Sequence, residues 1–248
     1  MTDPQRSSPQ PRPLVWPEDL ARAIVEALDL GGRVNVPLRA VTTGDADWRT
    51  DVARTLPGEA DRAAATLAQA LQRHPDVRAC RAEGPAVSIT LTIASLMRVV
   101  PEILLGGLPT PPDGPAAAAG PALAEQLAEV RLCHARARSI SRSARAHGVG
   151  PDTAHGSLDD ATVSDRRLLT TLAGAPGVLR SGRERAVQAH ARALAAAHQR
   201  WFTSTRASPR GQEAITSTHR TRLAINDAVA LALAAELNAV GLDAPEHL

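Results

Sequence analysis

Residues 130–145 read VRLCHARARSISRSAR. Wound at 3.6 residues per turn, this stretch places Arg131, His134, Arg138, Arg142 and Arg145 on one helix face, at steps of three and four. Leu132, Ala135 and Ser139 form narrower faces suited to packing against other helices. No acid occurs between Arg131 and Gly150. Arginines one turn apart repel, so the run is costly unless a polyanion or another part of the chain supplies the missing charge.

The rest of the chain makes this basicity local. Its 248 residues carry a formal charge of only +2, yet sixteen arginines face six acids between Arg131 and Arg222, a net +10. Residues 101–130 and 223–248 each contribute −4, and residues 1–100 balance. A single basic segment of this kind is an electrostatic footprint for a polyanionic partner. There is no lysine, so the choice of arginine follows composition and not selection for guanidinium chemistry. With no Tyr, one Phe and three Trp, aromatic platforms for stacking bases are scarce. Cys80 and Cys133 lack CxxC or Cys/His metal spacing, so a reduced pair without zinc is expected. The most apolar run, 223–240, is interrupted by Asn226, Asp227, Glu236 and Asn238; it reads as a buried helix, not a membrane span. The expectation is a soluble, cytoplasmic protein with no membrane partner.

Taken in order, residues 1–13 are a Pro-rich tail expected to be disordered. Residues 14–106 form an expected α+β sandwich. Its parts are a helix from Pro17 through Leu28, a strand over 34–41, a helix over 61–73, strands at 77–80 and 87–92, and a helix over 95–105. Residues 107–122 are a Pro/Gly/Ala linker. Residues 123–248 are an expected all-α bundle: the basic helix, ended by Gly148-Val149-Gly150-Pro151, then helices over 165–173, 182–202 and 216–240. The fold class is therefore two domains, a small α+β sandwich followed by a helical bundle.

The same residues carry a resemblance. RLCHARARSISR resembles the [Q/R]-Y-A-H-A-R-x-x-S-[I/L]-x-R helix that opens the anticodon-binding domain of arginyl-tRNA synthetases. His134, Ala135, Arg136 and Ser139 match it, while Leu132 stands where an aromatic is usual. Arg222-Leu223-Ala224-Ile225 through Gly241-Leu242-Asp243-Ala244-Pro245-Glu246-His247-Leu248 resembles the family's closing R-L-A-L … G-[LVI]-x-A-P-E-R-M. Ala46 to Ala53 is similar to the G-D-Y-A-T-N-V-A of the N-terminal additional domain, a small mixed sheet that supports the elbow of tRNA. The resemblance implies a DALR-type anticodon-binding bundle behind a degenerate N-terminal additional domain.

In that family a nucleotide-binding catalytic domain lies between these two parts. A Rossmann-type domain needs several βαβ units of about 30 residues each, which the 107–122 segment cannot hold. The H-x-G-H signature and the K-M-S-K-S loop are also missing; His147-Gly148 and His155-Gly156 are only superficial echoes. The expectation is a tRNA-binding, non-catalytic relative without cofactor, with ATP and Mg²⁺ entering only beside a separate catalytic subunit. Two alternatives stay open: a module docking on a synthetase or tRNA-using enzyme, and one part of a split arginine–tRNA ligase.

The RNA-binding candidates are Arg131, His134, Arg138, Arg142, Arg145, Arg200, Trp201, Arg206 and Leu248. Arg138, Arg142 and Arg145 are the first choice for phosphates. His134 fits a packed, hydrogen-bonded role equally well. Trp201 is the best stacking candidate, although at least one ring of Trp201-Phe202 is expected in the core. Arg136 lies off the stripe and is expected in a structural ion pair. Leu248 takes the place of the family's terminal Met, which helps to shape the anticodon pocket, and His247 that of an arginine.

Overall fold

The computed structural model describes residues 11–30, 35–42, 44–56, 58–112, 117–152, 158, 160–207, 209 and 213–246. Its first part is a small sheet with helices. Helix α1 (Pro17–Ala27) begins with Pro17 at its first position, where a missing N–H costs nothing, and buries Leu20 and Ile24. Strands β1 (Leu38–Ala40), β2 (Trp48–Thr50), β3 (Val77–Glu83) and β4 (Ala86–Leu91) form one antiparallel sheet in the order β1-β2-β4-β3. Helix α2 (Ala60–Leu71) packs on β3 and β4 through Ala64, Leu67, Ala68 and Leu71.

Strand alternation sorts the sheet's faces. Trp48, Thr50, Val87, Ile89 and Leu91 are buried. On the other face the register lines up Arg39, Arg49, Ser88 and Arg81 in one cross-strand row. Arg39 and Arg49 are directly opposed like charges; Asp51 lies 3.6 Å from Arg39 and Glu83 lies 3.4 Å from Arg49, offsetting the repulsion.

The helix expected over 95–105 comes as two pieces, α3 (Ile93–Met97) and α4 (Val99–Gly106). Pro101 removes the N–H that a continuous helix would need there. The expected 34–41 strand shortens to β1, Val34 lying outside the described residues. Leu14 is buried in the core. Its N–H donates to buried Asp76, 2.8 Å, and Ser95 donates to its carbonyl, 2.7 Å.

The second part is helical. Helix α5 (Pro121–Gln126) starts inside the expected linker and is followed by α6 (Ala128–Ala146), α7 (Val163–Leu172), α8 (Ala175–Arg180), α9 (Glu184–Ser204) and α10 (Ser217–Ala239). Helix α10 is buried on nearly every side and packs against α6, α9 and α4. Gly241 closes it at φ 75°, where a Cβ would stand 2.0 Å from the Ala117 carbonyl oxygen, so only glycine fits. The Gly241 carbonyl accepts from the Ala119 N–H, tying residues 117–120 to this turn.

Sheet and helices share one hydrophobic core running from Leu14 to Leu242. The first turn of α7 makes the polar part of the joint. Arg166 donates to the Asp47 carboxylate and, at 2.7 Å, to the Leu91 carbonyl. Arg167 donates to the carbonyls of Val41, Gly44 and Ala46. Burial pushes the Asp47 carboxyl upward, while Arg166, the Leu91 N–H and Arg167 favour its charge. Removing the guanidinium would leave that carboxylate buried and unpaired. Arg166→Met is therefore expected to lower stability by about 3 kcal/mol or more, read from the urea midpoint. An unchanged midpoint would show that the pair does not hold the joint.

Candidate nucleic-acid interface

The α6 stripe forms as its spacing predicts, but its counter-charge comes from elsewhere in the chain. Arg138 lies 2.8 Å and Arg142 4.0 Å from Glu246, and Arg145 lies 2.6 Å from Asp227 of α10. These arginine side chains remain 36–48% exposed. The pairs with Glu246 are half-exposed and weak, so Arg138 and Arg142 can exchange a carboxylate for a phosphate at small cost, whereas Asp227 is only 10% exposed and holds Arg145 more firmly. Arg131 is half-buried, and its Nε has no acceptor within the protein.

His134 sits on the buried side of the stripe, 3% exposed, its Nδ1 2.9 Å from the Pro245 carbonyl. Burial lowers its pKa, although that carbonyl favours the charged form, and Arg138 lowers it further. His134 holds the segment after α10 against α6, which is the packed, hydrogen-bonded arrangement that the sequence left open beside a contact role.

Beneath the stripe a hydrogen-bonded chain links three helices. The Cys133 thiol lies 3.2 Å from His198 Nδ1, and His198 Nε2 lies 2.9 Å from Asn226 Oδ1. Asn226 donates to the Ala137 carbonyl and to Ser141 Oγ, each at 2.9 Å. Ser141 reaches Asp227, the partner of Arg145. Thiol, imidazole and amide in this order have the parts of a cysteine hydrolase. Burial, however, pushes the Cys133 thiol up to about 12 and His198 down to about 4. At neutral pH both are uncharged, which gives no thiolate; the chain ties α6, α9 and α10 together.

Of the Trp201-Phe202 pair, Trp201 is the ring packed in the core. Its ring is 1% exposed, and Nε1 donates to Asp165 Oδ1 at 2.8 Å. The ring nitrogen is satisfied inside the core, which leaves no open face for a base. Phe202 is the exposed ring, at 41%. Arg200 and Arg206 are exposed. Leu248, His247, Arg210 and His155 lie outside the described residues.

An open groove of about 630 Å³ runs between α6 and α9. Val130, Leu132, Cys133, Ala195 and Ala196 give it an apolar lining, and Arg136, Arg192, Arg200, Gln126, Gln199 and Glu129 supply its polar groups. Among the described residues Arg136 forms no ion pair, contrary to the sequence expectation: it donates to the Gln199 amide oxygen and lies 5.9 Å from the Phe202 ring centroid. The sequence reading found Arg200 but missed Arg192 and Gln199. Their spacing with Ala196 was a usable signal, since positions 192, 196, 199 and 200 share one helix face.

A second cavity, about 660 Å³, lies between the open sheet face and α7, with Arg49, Arg78, Arg81, Arg166 and Arg167 among its lining. Among the described residues no cluster of three or more His, Cys, Asp or Glu could hold a metal, and no helix is long and apolar enough to cross a membrane.

The fold is a small antiparallel sheet joined to a set of helices that carry arginine-rich faces. Over 48% of its length the chain is similar to arginine–tRNA ligases. It is 38% identical over 128 residues to that of Pseudarthrobacter chlorophenolicus, covering 23% of that protein. It is 36% identical over 123 residues to the arginine–tRNA ligase of Paenarthrobacter aurescens and 38% over 124 residues to that of Clavibacter sepedonicus, covering 22% of each. The chain is thus related to the arginyl-tRNA synthetase family while spanning less than a quarter of these relatives' length. No family model matches the chain, and no solved structure matches it significantly.

The buried imidazole gives a pH test. In the unfolded chain His198 takes a proton near 6.5, but in the fold only near 4. Between these values the unfolded state binds more protons, so stability falls as pH drops. The drop attributable to His198 should reach about 3 kcal/mol. His198→Gln should flatten the stability profile in that window; a profile parallel to wild type would contradict the assignment.

Proposed function

We propose that the chain is a tRNA-binding, non-catalytic relative of arginine–tRNA ligases, with α5–α10 serving as a DALR-type anticodon-binding bundle. The observation that carries this reading is the similarity to those ligases over about half the chain. The cationic faces of α6 and α9 supply phosphate contacts: Arg138, Arg142 and Arg145 on one side, and Arg192 and Arg200 in the groove. The outward row Arg39, Arg49 and Arg81 adds a second basic surface on the sheet. The non-catalytic part of the reading rests on the missing H-x-G-H and K-M-S-K-S signatures. ATP and Mg²⁺ then belong to any separate catalytic subunit, and the protein works as a cytoplasmic accessory factor in tRNA-dependent metabolism.

A second reading, docking on a synthetase or another tRNA-using enzyme, draws on exposed Leu132 and Phe202 beside the groove. A nuclease-resistant complex with a protein and without RNA would favour it.

Titrating tRNA at two salt concentrations tests the first reading. Phosphate-dominated binding should weaken with a log–log slope of about −0.7 to −0.9 per contact. Arg138→Gln with Arg142→Gln should make that slope shallower and weaken binding, with little effect on stability because both pairs are at the surface. Undetectable binding of wild-type protein at low salt would end the tRNA reading.

A further inference from the structure

Arginines collect at the cavity of about 660 Å³ between the open sheet face and the start of α7. Five guanidiniums line it, from Arg49, Arg78, Arg81, Arg166 and Arg167. Three carboxylates, Asp45, Asp47 and Glu83, leave the lining at a formal net charge of +2. Arg166 is spent on Asp47, but Arg167 is met by carbonyls, which cancel none of its charge. Arg49 has only the exposed Glu83, at 3.4 Å. Among the described residues the side chains of Arg78 and Arg81 have no hydrogen-bond or ion-pair partner. The sheet aims these groups at one place. Its cross-strand row sets Arg49 and Arg81 on either side of Ser88, their Cα atoms roughly 10 Å apart at the usual strand spacing. The Ser88 hydroxyl between them is half-buried and unpaired. In β3 the register gains one residue between Val77 and Ala79, and a bulge of this kind re-aims a side chain. It brings Arg78 to the cavity that Ala79 also lines. Val163, 65% exposed, and Val41 supply an apolar wall.

We propose that this cavity binds a small free molecule carrying a diphosphate group. The diphosphate lies over Ser88 and accepts from its hydroxyl and from the Arg78 and Arg81 guanidiniums, while Arg49 exchanges Glu83 for it. The organic part of the ligand runs along Val41 and Val163. Planar guanidinium forks suit phosphate oxygens, and the volume is that of a small-ligand site. The net charge of the lining calls for a ligand with about two negative charges in one place, whereas each phosphodiester of a nucleic acid brings one. A nucleic acid can lie across the exposed arginine tips, but the half-buried floor at Ser88, walled by α7, suits the smaller ligand. The inference goes beyond the tRNA-binding reading and does not depend on it, because none of these residues belongs to α6 or α9.

Calorimetric titration of the full chain with inorganic pyrophosphate and with ADP, free of metal ions and at constant ionic strength, tests it. Wild-type protein is expected to bind both, and inorganic phosphate about tenfold more weakly. Arg78→Gln with Arg81→Gln, both exposed and unpaired, should weaken pyrophosphate binding about tenfold or more and leave the thermal midpoint of the free protein in place. Ser88→Asp, which puts a carboxylate on the floor, should abolish binding. No binding of pyrophosphate by wild type at millimolar concentration, or unchanged affinity in either variant, overturns the inference. Equal affinity for citrate overturns it by reducing the site to charge alone. Displacement of bound pyrophosphate by stoichiometric tRNA also overturns it, by giving the floor to RNA. Pyrophosphate binding in a protein that binds no tRNA upholds the inference and ends only the tRNA reading.

Discussion

Three consecutive charged residues at the start of α7 hold the two parts of this protein together. Asp165, with no exposed surface, accepts from the Thr162 N–H at 2.8 Å, from Trp201 Nε1 at 2.8 Å and from Arg222 at 3.2 Å. It thereby caps α7 and fixes α9 and α10. Its neighbours Arg166 and Arg167 point the other way, into the sheet and the loop before β2. A buried carboxylate is tolerable only when its lone pairs are used, and here one turn of helix uses them for the bundle while spending two guanidiniums on the sheet. The cationic faces of the helices follow from this joint, because α9 packs on α7 and α10, and α6 packs on α10.

Charge is arranged in two ways around α6. Along the stripe, arginines are balanced by Glu246 and Asp227, leaving a surface that is cationic but not starved of partners. On the opposite side, toward α9, Arg136 meets the Gln199 amide and the Phe202 ring, and Glu129 shares the groove with Arg192 and Arg200. The first arrangement favours exchange of one anion for another. The second offers a concave, partly apolar place beside positive charge. Below both, the neutral Cys133–His198–Asn226 chain fixes the spacing of the helices that carry them.

Much of the architecture was legible in the sequence, and what was not has a physical reason. The long helices α2, α6, α9 and α10 announced themselves by apolar periodicity and by glycine or proline at their ends. Strand β2 escaped notice because three residues, Trp48–Thr50, show no alternation that a window can detect. Helix α8 was hidden by Pro176 and Gly177. The counter-charges were invisible for another reason: Asp227 lies 82 residues from Arg145 and Glu246 lies 108 from Arg138, so only the packing of α10 and its trailing segment brings them together. Trp201 looked available because aromatics are rare here, yet its indole N–H had a buried carboxylate waiting on α7. The bundle's joint with the sheet, made through backbone carbonyls by Arg167, leaves no trace in residue type at all.

The most direct measurement of the central claim is hydrogen–deuterium exchange of the protein with and without tRNA. The account predicts slowed amide exchange in α6 and α9, concentrated in the turns carrying Arg136, Arg138, Arg192 and Arg200, with the buried α10 unchanged. Exchange identical in both samples, or protection confined to regions far from α6 and α9, would contradict it.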